Sequence, residues 1–414
     1  LNIKPFINIG IRASTMLSRF LLMFVIAKYL PDTDMGLYGL ITTTIVFSLY
    51  IVGLDFYIYS TRELIQTEKN RWGKLLKSHC GMVLLLYLLY IPVILLVFYN
   101  NLLPWYIFFY LIITLMLEHF CQECQRIIIA DQKPLAANIG LFIRNGLWPF
   151  FFIPLIYFNI IPHDLVSVLT AWIIGDLLAV GFFIFIIFNM KISGWQEKVD
   201  WKWISTGIKI CSVFLIGTLA LRFSSVAERY WLQDLTTIEI VGVYSFFIGI
   251  SSVVSNFLDA GVIAFKYPKL IKAYTENNNI EYLKVKRELV IQVMAWTTVL
   301  VILSLLTIDL VLDFIDKPIY FEYKPIYYIT LASTVISCIA LLPHYELYAQ
   351  KKDNVIVVSH VASLGVFVIA GVIILSFDKL YAIPIASLLT QLFILLFKYI
   401  LIKRNKENEH TYIN

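Results

Sequence analysis

Apolar residues come in long runs along this chain, each of about twenty residues or more, enough to cross a bilayer as a helix. Twelve such spans are predicted, at 5–29, 36–60, 78–99, 102–126, 135–158, 164–190, 203–227, 238–265, 288–308, 326–350, 354–377 and 381–402. The polar gaps alternate in sign. Those after spans two, four, six, eight and ten, and the tail, are basic; the longest is 266–287, with Lys266, Lys269, Lys272, Lys284, Lys286 and Arg287. The gaps after spans three and five hold no Lys or Arg. Those after one, seven, nine and eleven hold few and lie beside Asp32, Asp34, Glu228, Asp234, Asp309, Asp313, Asp316 and Asp378. Cytoplasmic loops carry the excess of Lys and Arg, so both termini are expected in the cytoplasm. The first run is too long for a signal-peptide core and lacks a small-residue end, so it is expected to be a retained span.

The two halves repeat one another. Asn8, Gly10, Arg12 and Thr15 align without gaps on Ser205, Gly207, Lys209 and Ser212, and Gly53-Leu-Asp55 aligns on Phe257-Leu-Asp259. Gly36-Leu-Tyr-Gly opens span two much as Val241-Gly-Val-Tyr-Ser opens span eight, and Ala130-Asp-Gln-Lys133 closes span four as Ala349-Gln-Lys-Lys352 closes span ten. Six spans per half give both halves the same orientation, hence a parallel repeat about an axis along the membrane normal. The expected fold is an all-α polytopic membrane protein of two six-helix bundles, 1–190 and 203–402, with a cytoplasmic linker at 191–202 and a tail at 403–414. Two such bundles enclosing a cavity that opens to either side make a transporter architecture.

Composition agrees. Of 414 residues 60% are hydrophobic and 15% charged, more apolar side chain than a soluble domain of this size can hide. The net charge of +5 lies in the basic loops, so nucleic acid is not needed to explain it. Cys80, Cys121, Cys124, Cys211 and Cys338 fall in or beside apolar segments and are expected as reduced core residues. Cys121-Gln-Glu-Cys124 has no second pair for a zinc site, so no metal is implied. No glycine-rich phosphate loop is present, which argues against ATP; no cofactor is expected.

The informative residues are charges inside the spans. Asn8, Arg12, Thr15 and Arg19 recur along one face of the first helix, and lipid cannot surround that face, because a mid-bilayer Arg costs about 2.5–3.5 kcal/mol even on the lenient insertion scale. Arg144, Lys209 and Arg222 are further intramembrane cations. Asp55, Asp176 and Asp259 are acids within spans; Asp176, in AWIIGDLLAVGFF, can carry a proton or bind sodium. The alternative for each is a structural ion pair, with Arg144 and Asp176 the expected partners, and Arg12 and Lys209 can instead snorkel to lipid phosphate. Glu118 with His119, and His344 with Glu346, are expected in the cytoplasmic thirds of spans four and ten, where Glu118 and Glu346 form a gate or pair with Arg126 or Lys351. His360 is expected to be satisfied inside its bundle.

The pattern IGIRASTMLSRF, then AKYLPDTDMGLYGLITT, then VGLDFYIYSTREL, resembles the Wzx-type polysaccharide flippases of the multidrug/oligosaccharidyl-lipid/polysaccharide (MOP) exporter superfamily. The resemblance covers the whole chain in span number, loop pattern and repeat. It implies alternating-access movement of an undecaprenyl-diphosphate-linked oligosaccharide, such as an O-antigen or capsule repeat unit of lipopolysaccharide or capsule assembly, to the outer leaflet of a bacterial inner membrane. A proton or sodium gradient drives it, and other polysaccharide assembly proteins are possible partners. On that reading Arg12, Arg19, Arg144, Lys209 and Arg222 meet the diphosphate, which Arg grips bidentately, while Asp55, Asp176 and Asp259 couple the ion. A polymerase or O-acyltransferase of the same pathway is one alternative; it calls for a large outer loop or an exposed acid or His cluster, and here His163 stands beside Asp164 alone. A MOP-superfamily drug exporter is another; its mostly cationic substrates would be repelled by a cavity lined with Arg.

Overall fold

The structure, a computed structural model, describes the backbone of residues 4–411 and their side chains apart from 4–6, 9, 213, 214 and 405–411. Among these residues every regular element is helical. The helices are α1 (Lys4–Tyr29), α2 (Asp32–Gly53), α3 (Tyr57–Gln66), α4 (Lys69–Tyr99), α5 (Phe108–Ala130), α6 (Pro134–Phe142), α7 (Trp148–Tyr157) and α8 (Leu165–Phe188). There follow α9 (Trp201–Leu235), α10 (Ile238–Leu258), α11 (Ala264–Thr275), α12 (Asn279–Ile315), α13 (Pro318–Glu322), α14 (Lys324–Ala349), α15 (Asp353–Leu375) and α16 (Lys379–Thr411). Eleven spans are long and apolar enough to cross a bilayer, and twelve when the bent pair Trp201–Ser212 and Leu215–Leu235 counts as one. The expected all-α polytopic fold is therefore found. The outward faces suit lipid: on α4, Leu84, Leu88 and Leu96, with Leu85, Leu89 and Val93, stand exposed at helical spacing.

The chain divides into two compact units, Leu1–Leu215 and Ile216–Asn414, with the division inside α9. The start of α9 belongs to the first unit because Trp203 and Ile204 pack with Phe56 and Met82. In the first unit α5 runs along α8, and α1 along α6 and α7. In the second, α16 packs on both α14 and α15, and α10 on α14.

The polar stretches expected as loops are largely helix. Residues 61–77 comprise the end of α3, a break at Thr67 and Glu68, and the start of α4, while 266–287 belong to α11 and α12 on either side of a turn. Lys, Arg and Glu are good helix formers, so the helices run on past the apolar stretch. Residues 191–200 are laid on the start of α4. Gly73 N–H donates to Ser193 O (2.8 Å), Asp200 N–H donates to Ser78 Oγ (2.9 Å), and Lys77 donates to the carbonyls of Trp195 and Glu197. A Cβ at Gly73 would stand 2.5 Å from Ser193 O, and Gly194 turns the chain at φ +90°, so both positions require glycine.

The repeat reaches into the backbone. Helix α2 stops at Leu54 and Asp55, both left-handed (φ 49° and 51°), and the matching Asp259 opens a five-residue π turn, Asp259–Ile263. Both halves interrupt the even span at the same aligned residue, by different means. A second π turn, Ile143–Leu147, divides α6 from α7 and carries Arg144.

Candidate functional site

In the first unit three charged side chains lie about midway along their spans and are almost sealed from solvent: Glu118 on α5, Arg144 in its π turn and Asp176 on α8. The π turn widens the helix by one residue and lets Arg144 reach α5. Arg144 Nε stands 3.5 Å from Glu118 Oε2, and Trp172 Nε1 donates to Glu118 Oε1 at 3.0 Å. With its amide turned so that the oxygen faces the guanidinium, Asn145 accepts from Arg144 Nη2 and Nε at 3.0 and 2.9 Å. Asp176 is 0% exposed, and among the described residues neither of its carboxylate oxygens has a hydrogen-bond partner. Trp148 closes over this helix: a Cβ at Gly175 would lie 2.4 Å from its ring, so the close approach depends on glycine.

Two sequence expectations change here. Arg144 pairs with Glu118, not with Asp176, because both sit at mid-span on helices that bring them together. Glu118 is midway along α5 and not in a cytoplasmic third. Arg126, the expected partner of Glu118, pairs instead with Glu123 and lies 3.7 Å from the Tyr57 ring centroid. His79 and His119 approach Glu123 at 3.8 Å each, and Tyr87 Oη is 3.2 Å from His119 Nδ1.

The polar face of α1 is divided. Arg12 Nε donates to Asn138 Oδ1 (3.3 Å), and Asn138 Nδ2 donates to Asn8 Oδ1 (3.0 Å), which ties α1 to α6. Thr15 turns back to Ile11 O (2.9 Å). Arg19, near the middle of the span Gly10–Tyr29, is exposed, and among the described residues it has no hydrogen bond or ion pair. Of the other candidates, Asp55 is buried at the α2 break, while Lys209, Arg222 and Asp259 are exposed.

The second unit has buried polar groups that the sequence reading missed. Glu228, expected in a loop, lies within α9 and is buried; it accepts from Ser387 Oγ (2.8 Å) and Tyr244 Oη (3.0 Å). Its neighbour Arg229 donates to Ser245 Oγ (3.1 Å) and Ser225 O (3.0 Å). The apolar Trp231 and Leu232 that follow were the signal that the helix continues. Glu346 accepts from Lys286 (2.6 Å), not from Lys351. His344 and His360 converge on Lys398, a residue that its position near the basic tail had disguised. Between α7 and α8, His163 Nε2 lies against Ile156 O (3.0 Å) and Asp164 caps α8 by accepting from Ser167 N–H (2.8 Å), so each has a structural role.

No protein-family profile and no curated protein matches the chain. Solved structures do. An inward-facing multidrug-resistance MATE family transporter of the MOP superfamily superposes with a TM-score of 0.77 at 11% identity, covering 96% of this chain and 99% of that one. A MATE transporter crystallised in a complex gives 0.57 at 12% identity over 98% and 96% of the two chains. A mutant of a Vibrio cholerae MATE transporter gives 0.52 at 13% identity over 99% and 96%. At such identities the likeness establishes a shared fold.

Proposed function

We propose that this chain is a transporter of the bacterial inner membrane that moves an undecaprenyl-diphosphate-linked oligosaccharide from the cytoplasmic to the outer leaflet by alternating access, with both termini cytoplasmic. The observation that carries the reading is Arg19: a mid-span cation, exposed, with no hydrogen bond or ion pair among the described residues. Facing lipid it would cost about 2.5–3.5 kcal/mol or more, so its exposed side is a wet one. A diphosphate is the complementary ligand, since Arg stays charged and binds phosphate through two parallel donors. Arg12, held by Asn138 on the same face, extends the cationic surface toward the start of α1. Lys209 and Arg222 are exposed and serve the head group on entry and arrival. Arg144, buried against Glu118 and Asn145, is engaged by those two side chains in this conformation. Asp176, Asp55 and Asp259 remain the candidate ion-coupling acids. The Wzx-type resemblance in the sequence supplies the substrate class.

A drug exporter is a second reading, favoured by the multidrug-resistance MATE neighbour. The deciding measurement is the sidedness of the lipid-linked oligosaccharide in cells lacking the gene. Accumulation on the cytoplasmic leaflet, relieved by the wild-type gene and not by Arg19→Ala, is the expected result. Normal sidedness together with new sensitivity to cationic drugs would establish the exporter. Repeat units that reach the outer leaflet but are never joined would point to an enzyme.

A further inference from the structure

The second unit buries a cation that no acid among the described residues balances. Lys398, near the end of the apolar part of α16, is 2% exposed. Its Nζ lies 3.0 Å from His360 Nε2 on α15 and 3.2 Å from His344 Nδ1 on α14. The two imidazoles stack almost parallel, with centroids 6.1 Å apart and planes 7° from each other. Among the described residues no carboxylate pairs with Lys398. The nearby acid on α14, Glu346, is taken by Lys286, and Tyr345 is stacked on Tyr267. The other neighbours on α15, Ser359 and Ser363, donate to backbone carbonyls within their own helix.

We infer that Lys398, His344 and His360 form a reversible proton site, and that through it the transport proposed above draws on the proton gradient. Among the described residues three nitrogen groups converge and no oxygen is bonded to Lys398. Sodium is a hard cation and is held by oxygen, as other hard cations are, so of H⁺ and Na⁺ this donor set suits H⁺. A positive charge buried without a counter-ion is costly, and a second would cost more, so the trio holds one charge and releases it readily. The transfer is short and balanced. An Nζ–H bond of the ammonium breaks, an N–H bond forms at His360 Nε2 or His344 Nδ1, and the charge passes from ammonium to imidazolium. A proton can thus move between α14, α15 and α16 without leaving the cluster.

The test has two arms, of which the first needs no substrate. In full-length protein carrying ¹⁵N-histidine, the imidazole shifts of His344 and His360, assigned with His344→Gln and His360→Gln, are followed over roughly pH 5 to 8, the range in which His ordinarily titrates. The expected result is one shared transition of both rings in the wild type, displaced for both in Lys398→Arg, which keeps the positive charge but cannot give up its proton. Two rings that stay neutral throughout, or titrate independently of position 398, overturn the proposal. In the second arm, proteoliposomes under an imposed pH gradient are loaded with fluorescent undecaprenyl diphosphate bearing a short glycan. Movement in the wild type, slowed about a hundredfold in Lys398→Arg, the scale of losing an acid–base group, supports the site; an equal sodium gradient should drive nothing. Wild-type rates in Lys398→Arg under the pH gradient overturn it. If the rings titrate together but no gradient moves this lipid, the proton site stands and the proposed substrate falls.

Discussion

The two units share aligned positions in the sequence, yet they balance their buried charges differently. At mid-span the first holds a network around two carboxylates, Glu118 and Asp176, with one guanidinium. The second keeps the acid Glu228 farther along α9, satisfied by Ser387 and Tyr244, and gives Lys398 two histidines and, among the described residues, no acid. The aligned positions that persist, such as Asp55 and Asp259, are places where the helix is interrupted. The aligned break points are shared between the units, while their charged interiors differ in chemistry.

That contrast can be broken most forcefully at Arg144. Arg144→Met leaves Glu118 buried without its partner and should destabilise the protein by about 3 kcal/mol or more. Thermal unfolding in detergent reads the loss, and adding Glu118→Gln should restore most of it; a double variant no better than the single would mean that Arg144 acts through Asn145 or Asp176. In the second unit Glu228→Leu removes the acceptor of two inter-helix hydrogen bonds, worth about 1–2 kcal/mol together in a membrane protein. A loss as large as that at Arg144 would show the two interiors to be energetically alike after all.

Asp200 gives a smaller effect with a pH signature. The Trp203 backbone N–H (2.9 Å), then Lys74 (3.1 Å), hold its carboxyl below the usual carboxylate range. A lowered folded pKa adds stability above the unfolded value of about 3.9 and loses it as the pH falls through the folded value. Asp200→Ala should therefore cost about 1 kcal/mol at neutral pH, the usual worth of a helix N-cap. The difference from wild type should vanish in strong acid; a pH-independent difference would point to lost packing. Smallest in stability is Arg19→Ala, expected within about 0.5 kcal/mol because among the described residues nothing is bonded to it. Its effect should appear in export alone, and an unfolding shift comparable to that of Arg144→Met would make Arg19 structural.

The spans and the basic loops were readable in the sequence because bilayer thickness and loop charge act on residues one at a time. Pairing was not. Arg144 could have met Asp176 as easily as Glu118 until the π turn set its direction, and a π turn leaves no mark in composition. Lys398 looked like the first of a basic tail with Lys403 and Arg404, since depth at a helix end is ambiguous by a turn. His360 was expected to be satisfied within its bundle, but only packing of α16 on α15 identifies the lysine that satisfies it.

The strand of coil between Lys191 and Asp200 has a practical consequence for anyone engineering this protein. It is polar, it connects the halves, and it looks like the natural place for an epitope tag or a split point. Its backbone, however, is stitched to α4 at Gly73 and Ser78, with Gly194 in a conformation closed to other residues. An insertion there would peel it from its seat. The turn at Asn277 and Asn278, between two solvent-reaching helices, offers the safer address.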